Sequence, residues 1–139
     1  MNRIFFSLAS LIFLASILYT QNKLKFTAET VESKQENGIS INFFKKNVKI
    51  EDANRVLYAD LAKQIPDSNK VILTGNVQMY ENNSSLKCNK LIMRNEKESY
   101  HAEGNVIFKD SLRTAYGDSL SIEYTNNSIN KLELKSNAQ

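Results

Sequence analysis

From Leu24 onward the apolar residues alternate with polar ones instead of recurring every three or four positions, as in Ile39-Ile41-Phe43, Val48-Ile50, Val71-Leu73, Val77-Met79, Leu91-Met93, Val106-Phe108 and Leu120-Ile122-Tyr124. A period of two places one set of side chains on each face of a pleated strand, so the pattern predicts half-buried strands. Between the runs lie segments rich in Gly, Asn, Asp and Pro. These are Glu36-Asn37-Gly38, Pro66-Asp67-Ser68-Asn69, Thr74-Gly75-Asn76, Glu81-Asn82-Asn83-Ser84, Glu103-Gly104-Asn105 and Thr125-Asn126-Asn127, all read as turns. The expectation is roughly ten strands and no long helix after residue 20. Ala53 to Gln64 holds enough Ala and Leu to suggest a helix. Its partners at the spacing described next, Asn82 to Met93 and Ser111 to Ile122, are strand and turn sequences, so it too is expected to be strand.

Three stretches superpose at a spacing of 29 residues without a gap: Lys46-Asn47-Val48-Lys49-Ile50, Gly75-Asn76-Val77-Gln78-Met79 and Gly104-Asn105-Val106-Ile107-Phe108. The match continues through Leu57, Leu86 and Ala115, through the small residues Ala59, Cys88 and Gly117, and through Asp60, Asn89 and Asp118. Such a period marks a supersecondary unit that cannot bury its own apolar face and must stack on its neighbours. Short connections favour antiparallel pairs, because parallel strands need crossovers of a dozen residues or more. The architecture is therefore all-β and meandering, either a jelly roll or sandwich of two sheets or a solenoid of 29-residue rungs. Both leave edge strands, Phe26 to Val31 and Ile129 to Leu134, which are templates for another chain unless charges such as Lys23, Lys25, Lys131 and Lys135 blunt them.

Composition narrows the class without naming a function. A chain of 139 residues, 42% hydrophobic and 24% charged, suits one globular domain, and a net charge of +3 with interspersed signs shows no nucleic-acid stripe. Residues 1–20 stand apart. Arg3 is their only charge, and Ile4 to Tyr19 is an apolar run somewhat short of the roughly 20 residues a membrane-spanning helix needs. Residues 1–20 are expected to be a signal peptide or a retained N-terminal membrane anchor, and residues 21–139 a single domain. No small-x-small pair precedes Gln21, so both outcomes stand.

Catalytic chemistry is hard to assemble here. His101 is the only histidine and is expected as an exposed strand residue; Cys88 is the only cysteine and is expected as a small buried one, which rules out an intramolecular disulfide. A zinc site with nitrogen or sulfur ligands cannot be built from one of each. Asp60, Asn89 and Asp118 fit turn or capping roles better than cation binding. No metal or cofactor is expected. What recurs is an apolar strand face: Val48, Ile50, Val77, Met79, Leu91, Met93, Val106, Phe108, Leu120 and Ile122 are the candidate inward residues. Each contributes roughly 1.5–3 kcal/mol if buried. Aliphatic, Met and Phe side chains lining a long interior would suit acyl chains if the sheets part along one side, although composition alone favours a closed core.

At this point the residues carry a resemblance. The apolar leader, Phe26-Thr27-Ala28-Glu29 with Glu32, Asn37-Gly38-Ile39, Asn47-Val48, Leu57-Tyr58-Ala59-Asp60, Asn69-Lys70-Val71-Ile72-Leu73-Thr74-Gly75-Asn76-Val77 and Ala102-Glu103-Gly104-Asn105-Val106 resemble the OstA-like (LptA) family of lipopolysaccharide transport. The resemblance implies a twisted antiparallel β-jelly roll, open along one side, that shields the acyl chains of lipid A in its apolar groove. It further implies a periplasmic, non-enzymatic protein that joins other jelly-roll subunits of the export machinery through terminal strands and bridges inner and outer membranes. Two alternatives stay open: an inner-membrane-anchored LptC-like subunit of the same system, and an exported structural or adhesive β-solenoid with no lipid ligand. Lys46, where the other copies have Gly75 and Gly104, departs from the pattern.

Overall fold

The computed structural model describes residues 24–94, 98–125 and 128–136. The leader lies outside these residues. Among them are nine strands: β1 (Lys25–Thr27), β2 (Thr30–Glu36), β3 (Ile39–Glu51), β4 (Arg55–Ile65), β5 (Lys70–Glu81), β6 (Ser84–Arg94), β7 (Ser99–Lys109), β8 (Thr114–Thr125) and β9 (Ser128–Lys135). They form one antiparallel sheet in the order β1-β3-β4-β5-β6-β7-β8-β9, with β2 also on β3, and β9 does not return to β1 to close it. Ala53 to Gln64 is strand from Arg55 on, as the repeat predicts.

The Gly-Asn segments correct the sequence reading, for they are not turns. Gly75 and Asn76 lie inside β5, and Gly104 and Asn105 inside β7. Each pair takes two successive positive φ values, 85° and 48° in β5 and 83° and 49° in β7. The next strand sets a single residue against each pair, Asn89 in β6 and Asp118 in β8, so the register shifts by one between Thr74 and Val77 and between Glu103 and Val106. Matching breaks occur between Lys45 and Val48 in β3, Tyr58 and Leu61 in β4, and Lys87 and Lys90 in β6. A bulge of this kind bends a strand and increases its twist without ending it. Aligned through β3 to β7, these bulges crease the sheet into two halves. Lys46 adopts φ 69° and Asn47 φ 52°, so the departing first copy makes the same crease despite its Cβ.

Gly75 shows why the crease wants glycine. A Cβ there would lie 2.5 Å from Asp60 Oδ2 and 2.9 Å from Asp60 Cβ, and Gly104 meets Asn89 at the same two distances. The Asp60 and Asn89 column therefore fills the space beside the glycines, and Asn76 Nδ2 donates to Asp60 Oδ2 at 3.1 Å.

Genuine reversals use other devices. Asn37 and Gly38, both at positive φ, join β2 to β3 in a two-residue hairpin, the combination a primed turn requires. Asp52 Oδ1 accepts from the backbone N–H groups of Asn54 and Arg55 while Oδ2 accepts from Arg55 Nε. Asp110 repeats the arrangement with Leu112 and Arg113.

Candidate functional site

Register converts the alternation into continuous apolar rows. In one half, Phe44, Ala62, Leu73, Leu91, Ala102, Leu120 and Leu134 are successive cross-strand partners from β3 to β9. A second row in that half links Val71, Met93, Tyr100, Ile122 and Leu132. In the other half Phe26, Ile50, Leu57, Met79, Leu86, Phe108 and Ala115 form the corresponding row. Beside the crease, Val48 pairs with Ala59, Val77 with Cys88, and Val106 with Gly117.

All ten inward residues expected from the sequence lie on these inner faces, and each is at most 5% exposed. They belong to one buried cluster to which both halves contribute; Phe26 stacks on Phe44 at a centroid distance of 4.8 Å. Leu57, Leu73 and Leu86 are as deeply buried and were not among the ten. The signal for them was present, since Leu73 lies 29 residues after Phe44, and Leu86 the same distance after Leu57. Among the described residues no polar or charged side chain is buried. The inner surface is apolar from one edge of the sheet to the other.

Opposite the crease the ends of the two halves face each other. A cavity of about 1090 Å³ opens there, lined by Asp52 to Arg55 and Glu81 from one half and by Pro66, Asn69, Ser99, Tyr100 and Tyr124 from the other. Side chains cross this seam. The Arg55 guanidinium lies over the Tyr100 ring at 5.3 Å and the Tyr124 hydroxyl donates to Glu81 Oε1 at 2.6 Å; on their own half the two tyrosine rings meet edge to face at 5.5 Å. Burial, then the Glu81 carboxylate, pushes the Tyr124 phenol well above its usual value. Arg55 and Glu81 are themselves cross-strand partners on β4 and β5.

Among the described residues the ends of the sheet are open edges. β9 pairs with β8 on one side, and Leu132, partner of buried Ile122, is 37% exposed there. β1 and β2 occupy the other end, each paired with β3 alone.

His101 has company that the sequence did not reveal. Its Nδ1 lies 2.9 Å from Ser121 Oγ, its cross-strand partner, and its Nε2 lies 3.1 Å from Glu103 Oε2. A serine, a histidine and a carboxylate in contact are the parts of an activated nucleophile. Here they sit on the outer sheet face, away from the seam cavity, and the strand pairing of β7 with β8 occupies the neighbouring backbone amides that an oxyanion would need. The arrangement is a cross-strand polar cluster. Cys88 is buried as expected, and burial raises its thiol to about 11, so it is protonated and unreactive at neutral pH. No group of three or more His, Cys, Asp and Glu residues that could hold a metal occurs among the described residues.

Comparison with known proteins places this architecture. The structure is similar to the crystal structure of LptH from Pseudomonas aeruginosa, the LptA-homologous periplasmic component of a lipopolysaccharide transport device; the TM-score is 0.65 at 9% identity, over 77% of this chain and 80% of that one. At that identity the likeness is one of fold. No curated protein matches by sequence. The family model described as LptA/(LptD N-terminal domain) LPS transport protein matches residues 58–139, from the middle of β4 through β9 and beyond. With more than half of its length covered by that match, the chain belongs to the OstA-like family of lipopolysaccharide transport proteins.

Proposed function

We propose that this protein carries lipopolysaccharide through the periplasm, with the acyl chains of lipid A held between the two inner faces and the sugars left in water. The observation that carries the reading is the set of apolar rows, uninterrupted by any buried polar side chain and running from edge to edge of an unclosed sheet. Hydrocarbon removed from water gains about 0.8 kcal/mol per methylene, so a polar side chain on this path would tax every passing chain. Val48, Ile50, Val77, Met79, Leu91, Met93, Val106, Phe108, Leu120 and Ile122 are the proposed acyl contacts. Because they are packed against one another in this structure, the ligand takes their place by parting the halves.

The edges complete the proposal. Leu132 and Leu134 continue the inner rows onto β9, so a second jelly roll whose first strand adds to that edge would extend one hydrocarbon path into the next. The partners are lipopolysaccharide and other jelly-roll subunits, including further copies of this chain head to tail, bridging the two membranes. No catalytic role is proposed for His101.

Binding is tested by titrating the purified protein with lipopolysaccharide and, separately, with the same polysaccharide after removal of its acyl chains. Saturable binding of the first and none of the second is expected. Equal binding of both would place recognition on the sugars and end the groove reading. Recovery of the protein in the soluble periplasmic fraction supports the bridge; recovery at full length with the inner membrane would favour the anchored subunit.

A further inference from the structure

The reversal at residues 81–84 departs from its two counterparts in a way that points across the seam. Positions 52, 81 and 110 are equivalent at the 29-residue spacing, and positions 55, 84 and 113 likewise. Asp52 and Asp110 turn their carboxylates back onto their own turns and onto Arg55 and Arg113. Residue 81 is instead a glutamate, one methylene longer, and residue 84 a serine whose hydroxyl donates to the Glu81 carbonyl at 3.0 Å. The Glu81 carboxylate is thus released from its turn and takes the Tyr124 hydroxyl of the opposite half. Arg55 differs from Arg113 in the same sense: its side chain is 20% exposed and lies over Tyr100, whereas that of Arg113 is 69% exposed.

Tyr124 is itself held in place, for its backbone N–H donates to the Glu98 carbonyl at 3.0 Å. The four side chains form one unit, since Arg55 and Glu81 are neighbours on one half and the two tyrosines are in ring contact on the other. All four line the seam cavity, and Tyr100, 5% exposed, also belongs to the buried cluster.

We propose that Arg55, Glu81, Tyr100 and Tyr124 are a latch across the open side of the jelly roll, and that an acyl chain enters the interior at this end when the latch parts. The entry role rests on the lipid-carrying function proposed above; the latch itself does not. A hydrogen bond to a carboxylate and a cation over an aromatic face hold firmly while water is excluded, yet both exchange for water when the seam parts and exposes this partly buried rim. Hydrocarbon packing alone would hold the seam shut without this polar set, but would not fix where it opens.

Cys88, the sole cysteine, lies on the inner face beside the crease and reports on opening without any lipid. In the full chain, Tyr124→Phe keeps the ring and removes the hydroxyl donor, and Tyr58→Phe on the outer face serves as control. Thiol modification of Cys88 is followed in increasing low concentrations of urea, where opening of the seam is nearly independent of urea and global unfolding is steeply dependent. The latch predicts roughly tenfold faster modification of Tyr124→Phe in the urea-independent regime, the size set by one hydrogen bond to a charged group. A rate equal to that of the control overturns it.

Entry is tested separately. Glu81→Cys and Tyr124→Cys are combined with Cys88→Ala, and the pair is bridged by a short bismaleimide. Loss of lipopolysaccharide capture on bridging, with capture intact before it, supports entry at the latch. Equal capture before and after refutes it. Capture absent in the unmodified protein would instead defeat the lipid-carrying reading, leaving the Cys88 rates to decide the latch.

Discussion

Gly75→Ala is the substitution that most cleanly exposes how the crease is built. Two separable penalties meet there. The backbone has φ 85°, which costs an L-residue about 1–2 kcal/mol, and the added methyl would lie 2.9 Å from Asp60 Cβ, an overlap of the kind that costs about 1–3 kcal/mol when a packed site must shift. Gly38, at φ 79° with nothing within 4 Å of a new Cβ, isolates the first. Gly38→Ala should therefore lose about 1–2 kcal/mol, and Gly75→Ala about 2–5 kcal/mol. Urea unfolding followed by circular dichroism gives both values by linear extrapolation. Repeating Gly75→Ala in an Asp60→Gly background closes a double-mutant cycle, and the steric share should return as a coupling of about 1–3 kcal/mol. A loss at Gly75 no larger than at Gly38, or a loss that Asp60→Gly leaves untouched, would refute the claim that glycine is there to admit Asp60.

Other expectations follow from the same geometry. Leu73, fully buried between Ala62 and Leu91, should cost about 2–5 kcal/mol on truncation to Ala in the same urea assay, whereas Tyr116→Ala on the outer face should stay within about 0.5 kcal/mol. The Leu112 backbone N–H, with the Arg113 N–H and guanidinium, holds the Asp110 carboxyl below its ordinary 3.8. Its contribution is present above that value and lost as pH falls through the lowered one, so the Leu112 and Arg113 amide resonances should move below about pH 3.8 and Asp110→Asn should abolish the movement. Removing Ile129 to Leu134 should abolish head-to-tail oligomers while leaving a folded monomer; an unchanged elution volume on gel filtration would contradict edge pairing.

Much of the fold was legible because one physical signal governs it. Alternation assigns faces, and in an antiparallel meander the faces assigned strand by strand fall into rows, which is why Val48, Met79, Phe108 and the other expected residues lie on one surface. The Gly-Asn pairs were misread for a physical reason: the residues that tolerate positive φ in a reversal are those that tolerate it in a bulge. What distinguishes the two is the pairing beyond, where β5 resumes against β6 at Val77 and Cys88. The contacts of His101 with Ser121 and of Tyr124 with Glu81 were illegible for a related reason. The first depends on cross-strand register, and the second on which turns meet after the sheet creases. The lone glutamate at 81 among equivalent aspartates was visible in the sequence, but it acquired meaning only once its partner was known.

The central claim is that hydrocarbon travels between the inner faces. A photo-crosslinking amino acid placed at Met79, Met93 or Phe108 in cells, with Ile107 and Tyr116 on the outer face for comparison, measures it directly. The account predicts lipopolysaccharide adducts from the three inner positions and none from the two outer ones. Adducts at the outer positions alone, or at no inner position while the protein remains folded, would contradict it.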